Sequence, residues 1–112
     1  MKSLVFVTNN GPAIALCSGA SRVDERRLSA ALASAEVRRA TADEAKAATG
    51  YAIGGVPPFA HATAARVICD RGLLAYDEVW AAAGLPDAVF PIAPGELVRI
   101  SGATVAEVAA AS

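Results

Sequence analysis

The chain has 112 residues, a net charge of −1 from ten basic and eleven acidic residues, and a hydrophobic fraction of 54%. Of its residues 28 are alanine and six are aromatic, so the core is built from small side chains around valine and leucine. This length suits one domain, 1–112, and the balanced charge argues against a strongly basic nucleic-acid binder while allowing a local basic patch.

Ser3 to Thr8 is an apolar, β-branched run that predicts a strand buried on both faces. Asn9-Asn10-Gly11 supplies the residues of a hairpin turn, and Pro12 to Ser18 returns as a second strand. A helix follows from about Asp24 to Ala33, with Leu28, Ala31 and Leu32 on one face; Ser21 and Asp24 are both able to cap it. Glu36 to Ala40 is a short strand with Arg38 and Arg39 on opposite sides. Thr41 to Glu44 is a capping box and Gly50 a stop, giving a helix over Ala42–Thr49.

The stretch from Gly50 to His61 packs three glycines, two prolines, two aromatics and the only histidine into twelve positions. Gly54 and Gly55 tolerate positive φ, and Pro57 stiffens the segment. The amides of Gly54, Gly55 and Val56 can form a concavity for a carbonyl oxygen or phosphate; a tight turn is the ordinary alternative. Ala64 to Cys69 reads as a strand, followed by a turn at Asp70-Arg71-Gly72 and a short helical turn at Leu73-Leu74. Glu78 to Ala83 fits strand or helix. Gly84 to Asp87 is a turn, Ala88 to Ile92 a strand and Pro94 to Ile100 a helix stopping near Gly102. The tail from Thr104 is expected to fray beyond Val108. Alternating strands and helices, with hairpins near both ends, indicate a mixed α/β layer structure.

No apolar run is long enough to span a membrane, and the N-terminal run is too short for a signal peptide. Cys17 and Cys69 lie far apart without metal-ligand spacing, so the sequence points to a cytoplasmic protein with reduced cysteines and no metal.

The segments Lys-Ser-Leu-Val-Phe-Val (2–7), Val-Asp-Glu-Arg-Arg-Leu (23–28), Thr-Gly-Tyr-Ala-Ile-Gly-Gly-Val-Pro-Pro-Phe-Ala-His (49–61) and Leu-Leu-Ala-Tyr-Asp-Glu-Val-Trp (73–80), followed by Gly84, resemble the YbaK-type aminoacyl-tRNA editing domain. That domain also occurs inserted in bacterial prolyl-tRNA synthetases. The resemblance implies a mixed, barrel-like β-sheet flanked by short helices. It also implies hydrolysis of the ester on a mischarged tRNA, most often tRNA(Pro), without metal or organic cofactor. The family's lysine falls on Lys2, its small polar neighbour on Ser3, and its Gly-Gly-x-x-Pro loop on Gly54, Gly55 and Pro58, with Pro57 a second proline. Lys2 and Gly54 are the expected catalytic residues; Ser3, Gly55, Val56, Pro57, Pro58, His61 and Ala82 are expected to bind substrate. The expected partner is mischarged tRNA, with the protein acting as a monomer or beside a synthetase, away from membranes.

The match departs from the family in three places. Relatives carry a longer segment before the lysine, so the chain is expected to be a truncated gene product, to have a misassigned start, or to be a naturally short form with an open pocket. The strand around Ala82 is all alanine where cysteine-removing relatives carry serine, which leans toward a small apolar amino acid. Ala60 stands at a position commonly glycine. A non-catalytic module of the same fold, binding tRNA or another ligand, is the rival reading. Read without the resemblance, Lys2 is a solvated terminus, His61 a loop histidine, and Asp70 and Asp77 turn and cap residues; Trp80 is able to stack on an adenine base, with a core tryptophan the ordinary reading. Arg38, Arg39, Arg66 and Arg71 are either a basic patch or scattered surface.

Overall fold

The computed structural model describes residues 1–85 and 87–110. Its elements follow in the order β1 (Lys2–Thr8), β2 (Gly11–Cys17), α1 (Glu25–Leu32), β3 (Val37–Arg39), α2 (Ala42–Thr49), β4 (Arg66–Asp70), a 3₁₀ turn (Arg71–Ala75), β5 (Val79–Ala82), β6 (Val89–Ile92), α3 (Pro94–Ser101) and β7 (Thr104–Ala106). Five strands form one mixed sheet in the order β3-β1-β2-β4-β7, with β2–β4 and β4–β7 parallel. β5 and β6 form a separate antiparallel hairpin that packs against β1. A closed barrel is not found among the described residues.

Strand alternation divides the core into two layers, because successive side chains leave opposite faces of a sheet. Val5, Ile14, Leu16, Val67 and Cys69 face one way and meet Ala45 of α2, Val56, Val79 of β5 and Leu97 of α3. Phe6, Ala13, Ala15 and Ile68 face the other way and meet Leu28 and Leu32 of α1 and Val108. Each of the two α1 leucines is fully enclosed, a burial that contributes about 2–3 kcal/mol apiece. β1 is thus buried on both faces only at Val5 and Phe6; its ends are half-exposed.

Helix ends follow the sequence chemistry. The Asp24 side chain caps α1, accepting from the Arg26 and Arg27 amides, so Asp24 and not Ser21 is the cap. α2 has the full Thr41–Glu44 capping box and stops at Gly50, whose φ of 84° needs a glycine. The ambiguous Val79 segment is strand. Its alternation buries Val79 and Ala81 and turns Trp80 outward at 52% exposure, correcting the expectation of a core tryptophan.

The C-terminal tail also differs from expectation. β7 extends the sheet beside β4, Val108 is fully buried, and Ala109 bridges Val23. Local composition predicts fraying because alanine offers little side chain to bury; main-chain pairing and one buried carboxylate, Asp70, hold the segment instead. Within the turn expected over Gly84–Asp87, Pro86 lies outside the described residues, as do the last two positions of the tail.

Candidate functional site

A cavity of about 200 Å³ opens on the Val5 side of the sheet, between the start of β1, the end of β3, α2, the glycine loop and β5. It brings together Lys2, Ser3, Gly54, Val56 and Ala82, five expected site residues drawn from three distant parts of the chain. Gly55, Pro57, Pro58 and His61 do not line it.

Lys2 is half-buried, and among the described residues its ammonium has no carboxylate or carbonyl partner. The Ser3 hydroxyl is shut away from solvent and also lacks a partner. An unpaired buried hydroxyl costs free energy unless something accepts or donates to it, so Ser3 is poised for a ligand or water. Ala40, Ala45, Val56 and Ala82 make the walls small and apolar. Arg39 completes the rim and carries its guanidinium over the Phe6 ring, 5.8 Å from the centroid.

The loop contributes two glycines in different settings. Gly54 is exposed with φ 89°, a conformation that strains any other residue. Among the described residues neither its amide nor that of Val56 has an acceptor. Gly55 is different. Its amide donates to the Ala52 carbonyl and its carbonyl accepts from Gly84. A Cβ there would stand 3.0 Å from the Gly84 oxygen and the Leu85 carbonyl carbon, so Gly55 is the contact through which the loop meets the β5–β6 turn. The expected concavity of three amides is therefore reduced to two.

The rest of the loop is tied down. The Thr49 hydroxyl accepts from the Tyr51 amide, the Tyr51 hydroxyl donates to Ala60 O, and His61 Nε2 lies 2.7 Å from Pro57 O. Pro57 and Pro58 are buried, and Phe59 packs edge-on against Phe90 at 6.1 Å. Pro58 and His61 lie in the same loop as Gly54 without lining the cavity. Ala60 sits at φ 63°, so the residue that replaces the family's usual glycine is in the left-handed region.

The four arginines do not converge. Arg38 forms a bidentate pair with Glu44 at 2.7 and 2.6 Å, Arg66 donates to Leu32 O, and Arg71 borders a separate hollow. Asp70 is a buried structural acceptor. Cys17 and Cys69 are free and buried; burial pushes the Cys69 thiol up to about 11, with the charge of Asp70 adding to it, so it is no thiolate nucleophile. Among the described residues no three potential ligands cluster for a metal ion, and no helix is long and apolar enough to cross a membrane.

Residues 1–100 match the model of the aminoacyl-tRNA editing domain. The chain belongs to that family. A proposed trans-editing enzyme for prolyl tRNA synthetase is 43% identical to this editing domain, with a TM-score of 0.92 over 98% of this chain and 69% of that one. A scaffold protein from computational epitope grafting is 37% identical, TM-score 0.93, over 98% of this chain and 70% of that one. A hypothetical protein is 33% identical, TM-score 0.89, over 97% and 73%. None of the curated proteins matches the sequence significantly.

The editing domain's cavity was partly legible in its sequence. Ala40, Ala45 and Arg39 were missed as lining residues, because nothing local marks an alanine as a wall until β3 and α2 are folded around it.

Proposed function

We propose that the chain is an aminoacyl-tRNA deacylase that hydrolyses the ester of mischarged tRNA, with tRNA(Pro) carrying a small amino acid as its substrate. The observation that carries this is the single cavity in which an unpaired lysine, an unpaired serine hydroxyl and a free glycine amide meet small apolar walls. The family and the prolyl-tRNA synthetase-related neighbour support the same direction.

The chemistry needs little more. A water attacks the ester carbonyl carbon, the carbonyl oxygen takes up negative charge, and the bond to the ribose oxygen breaks as that oxygen gains a proton. The Gly54 amide is the donor for the developing oxyanion, a contact of the kind worth about 3 kcal/mol in a transition state. Lys2 holds the ester end or an adjacent phosphate as a point charge. Ser3 orients the water or the amino-acid group. No carboxylate or imidazole lines the cavity among the described residues, so the site works by placement and electrostatics with no covalent enzyme intermediate. Ala82 and its neighbours limit the amino acid to a small apolar one such as alanine. On this reading the chain works in the cytoplasm, as a monomer or beside a synthetase.

The test is release of labelled amino acid from Ala-tRNA(Pro) and Cys-tRNA(Pro) by the parent chain and by Lys2→Ala. The expected result is release of alanine faster than cysteine by the parent, and its loss in the variant. A folded parent that releases neither would leave a binding module of the same fold and overturn the enzyme reading.

A further inference from the structure

Trp80 is the only tryptophan in the chain, and it stands half in solvent. It shares the outward face of β5 with Ala82, two residues on, because Val79 and Ala81 take the buried face. Ala82 is a wall of the cavity described above, while Trp80 borders a second hollow of about 170 Å³ with Met1, Ser18, Leu73, Tyr76 and Glu78. Met1 belongs to both linings, so the two hollows are neighbours, and Lys2, next in the chain, lines the first.

The two hollows differ in chemistry. The first has Lys2; Arg39 also lines it but holds its guanidinium over the Phe6 ring. The second has no cationic side chain in its lining but has two aromatics, Trp80 and Tyr76, each 52% exposed, and one carboxylate, Glu78. An uncharged heteroaromatic ring bearing an amino group would find stacking surface and an acceptor.

The first cavity alone is too small for the end of an aminoacyl-tRNA. Complete small-molecule sites run to roughly 300–1,000 Å³, against about 200 Å³ here. The aminoacyl group fits; the nucleoside to which it is esterified must lie beyond it, and the second hollow shares Met1 with the first. We infer that the Trp80–Tyr76 hollow binds the terminal adenine of the tRNA, stacked on Trp80 with its exocyclic amino group toward Glu78. This rests on the deacylase reading of the neighbouring cavity.

Because Trp80 is the sole tryptophan, its emission reports on the hollow directly. Adenosine monophosphate titrated into the full chain quenches that emission saturably. In hydrolysis, Trp80→Ala lowers kcat/KM for Ala-tRNA(Pro) about 10- to 100-fold relative to its rate on alanine ethyl ester, which has no base, and the loss falls mainly on KM. Trp80→Phe recovers most of it. An equal loss on both substrates would mark a merely structural role and overturn the assignment. So would a Trp80→Ala rate on Ala-tRNA(Pro) equal to the parent's, which leaves the editing activity itself standing. If the parent hydrolyses no aminoacyl-tRNA, the deacylase reading fails on its own, and the titration decides the hollow: saturable quenching supports a base site and its absence overturns one. Sedimentation showing a dimer lost in Trp80→Ala would give this face to a second copy and overturn the inference.

Discussion

The carboxylate of Asp70 accepts the Val108 amide at 2.9 Å, tying the end of β4 to a segment 38 residues later. The same side chain accepts from Ala109 at 3.0 Å and, through its other oxygen, from Gly72 at 3.1 Å, while remaining 4% exposed. One buried acceptor thus fixes the 3₁₀ turn and the C-terminal strand together. Asp70→Ala strands three amide donors and should cost about 2–3 kcal/mol in chemical denaturation, with amide exchange of residues 104–110 accelerating most. Unchanged exchange there would show that β7 pairing alone holds the tail.

Ala82 closes the wall of the cavity opposite Lys2's strand. Replacing it by leucine fills much of a space of about 200 Å³ without entering the buried core, since the side chain is only partly enclosed. Ala82→Leu should cut alanine release at least about tenfold while leaving the thermal midpoint nearly unchanged, a discrimination within reach of steric exclusion. Equal release by parent and variant would move the amino-acid pocket elsewhere.

Ala60 holds φ 63° in the loop and Ala33 φ 52° at the end of α1. A non-glycine residue in the left-handed region costs about 1–2 kcal/mol, partly offset in a glycine variant by the added freedom of the unfolded chain. Ala60→Gly and Ala33→Gly should each stabilise the protein by up to about 1 kcal/mol, read as a higher denaturation midpoint. Only Ala60→Gly should also alter hydrolysis, because only that residue shapes the segment presenting Gly54.

The carboxyl of Glu44 is held down to about 2 by its hydrogen bond from Arg38, with the Thr41 amide adding to the effect. A carboxyl with a depressed folded value stabilises the fold fully above its ordinary range and loses that contribution as pH falls. The window is therefore between about 4.5 and about 2. Over it the β3–α2 connection should weaken, and Glu44→Gln or Arg38→Ala should flatten that part of the stability curve. The pair is solvent-exposed, so raised salt should shrink the difference.

Local signals were enough for the elements whose causes are local. The Thr41–Glu44 box, the Asp24 cap, the alternation through Val5 and Phe6 and the Gly50 stop all act within a few residues, and each can be read from the chain. Lys2, Ser3, Gly54, Val56 and Ala82 were nameable from motifs, but their meeting in one cavity depends on β1, the loop and β5 packing on the same side of the sheet. Tertiary structure alone decided that Gly55 serves the contact with Gly84, that Trp80 faces solvent, and that residues 104–110 are held. For Gly55 and Val108 the deciding partner lies far along the chain, where propensity and periodicity carry no information: Gly84 for Gly55 and Asp70 for Val108. For Trp80 the alternation is local, but which face of β5 is buried was decided by Val79 packing into the cluster that holds Val5.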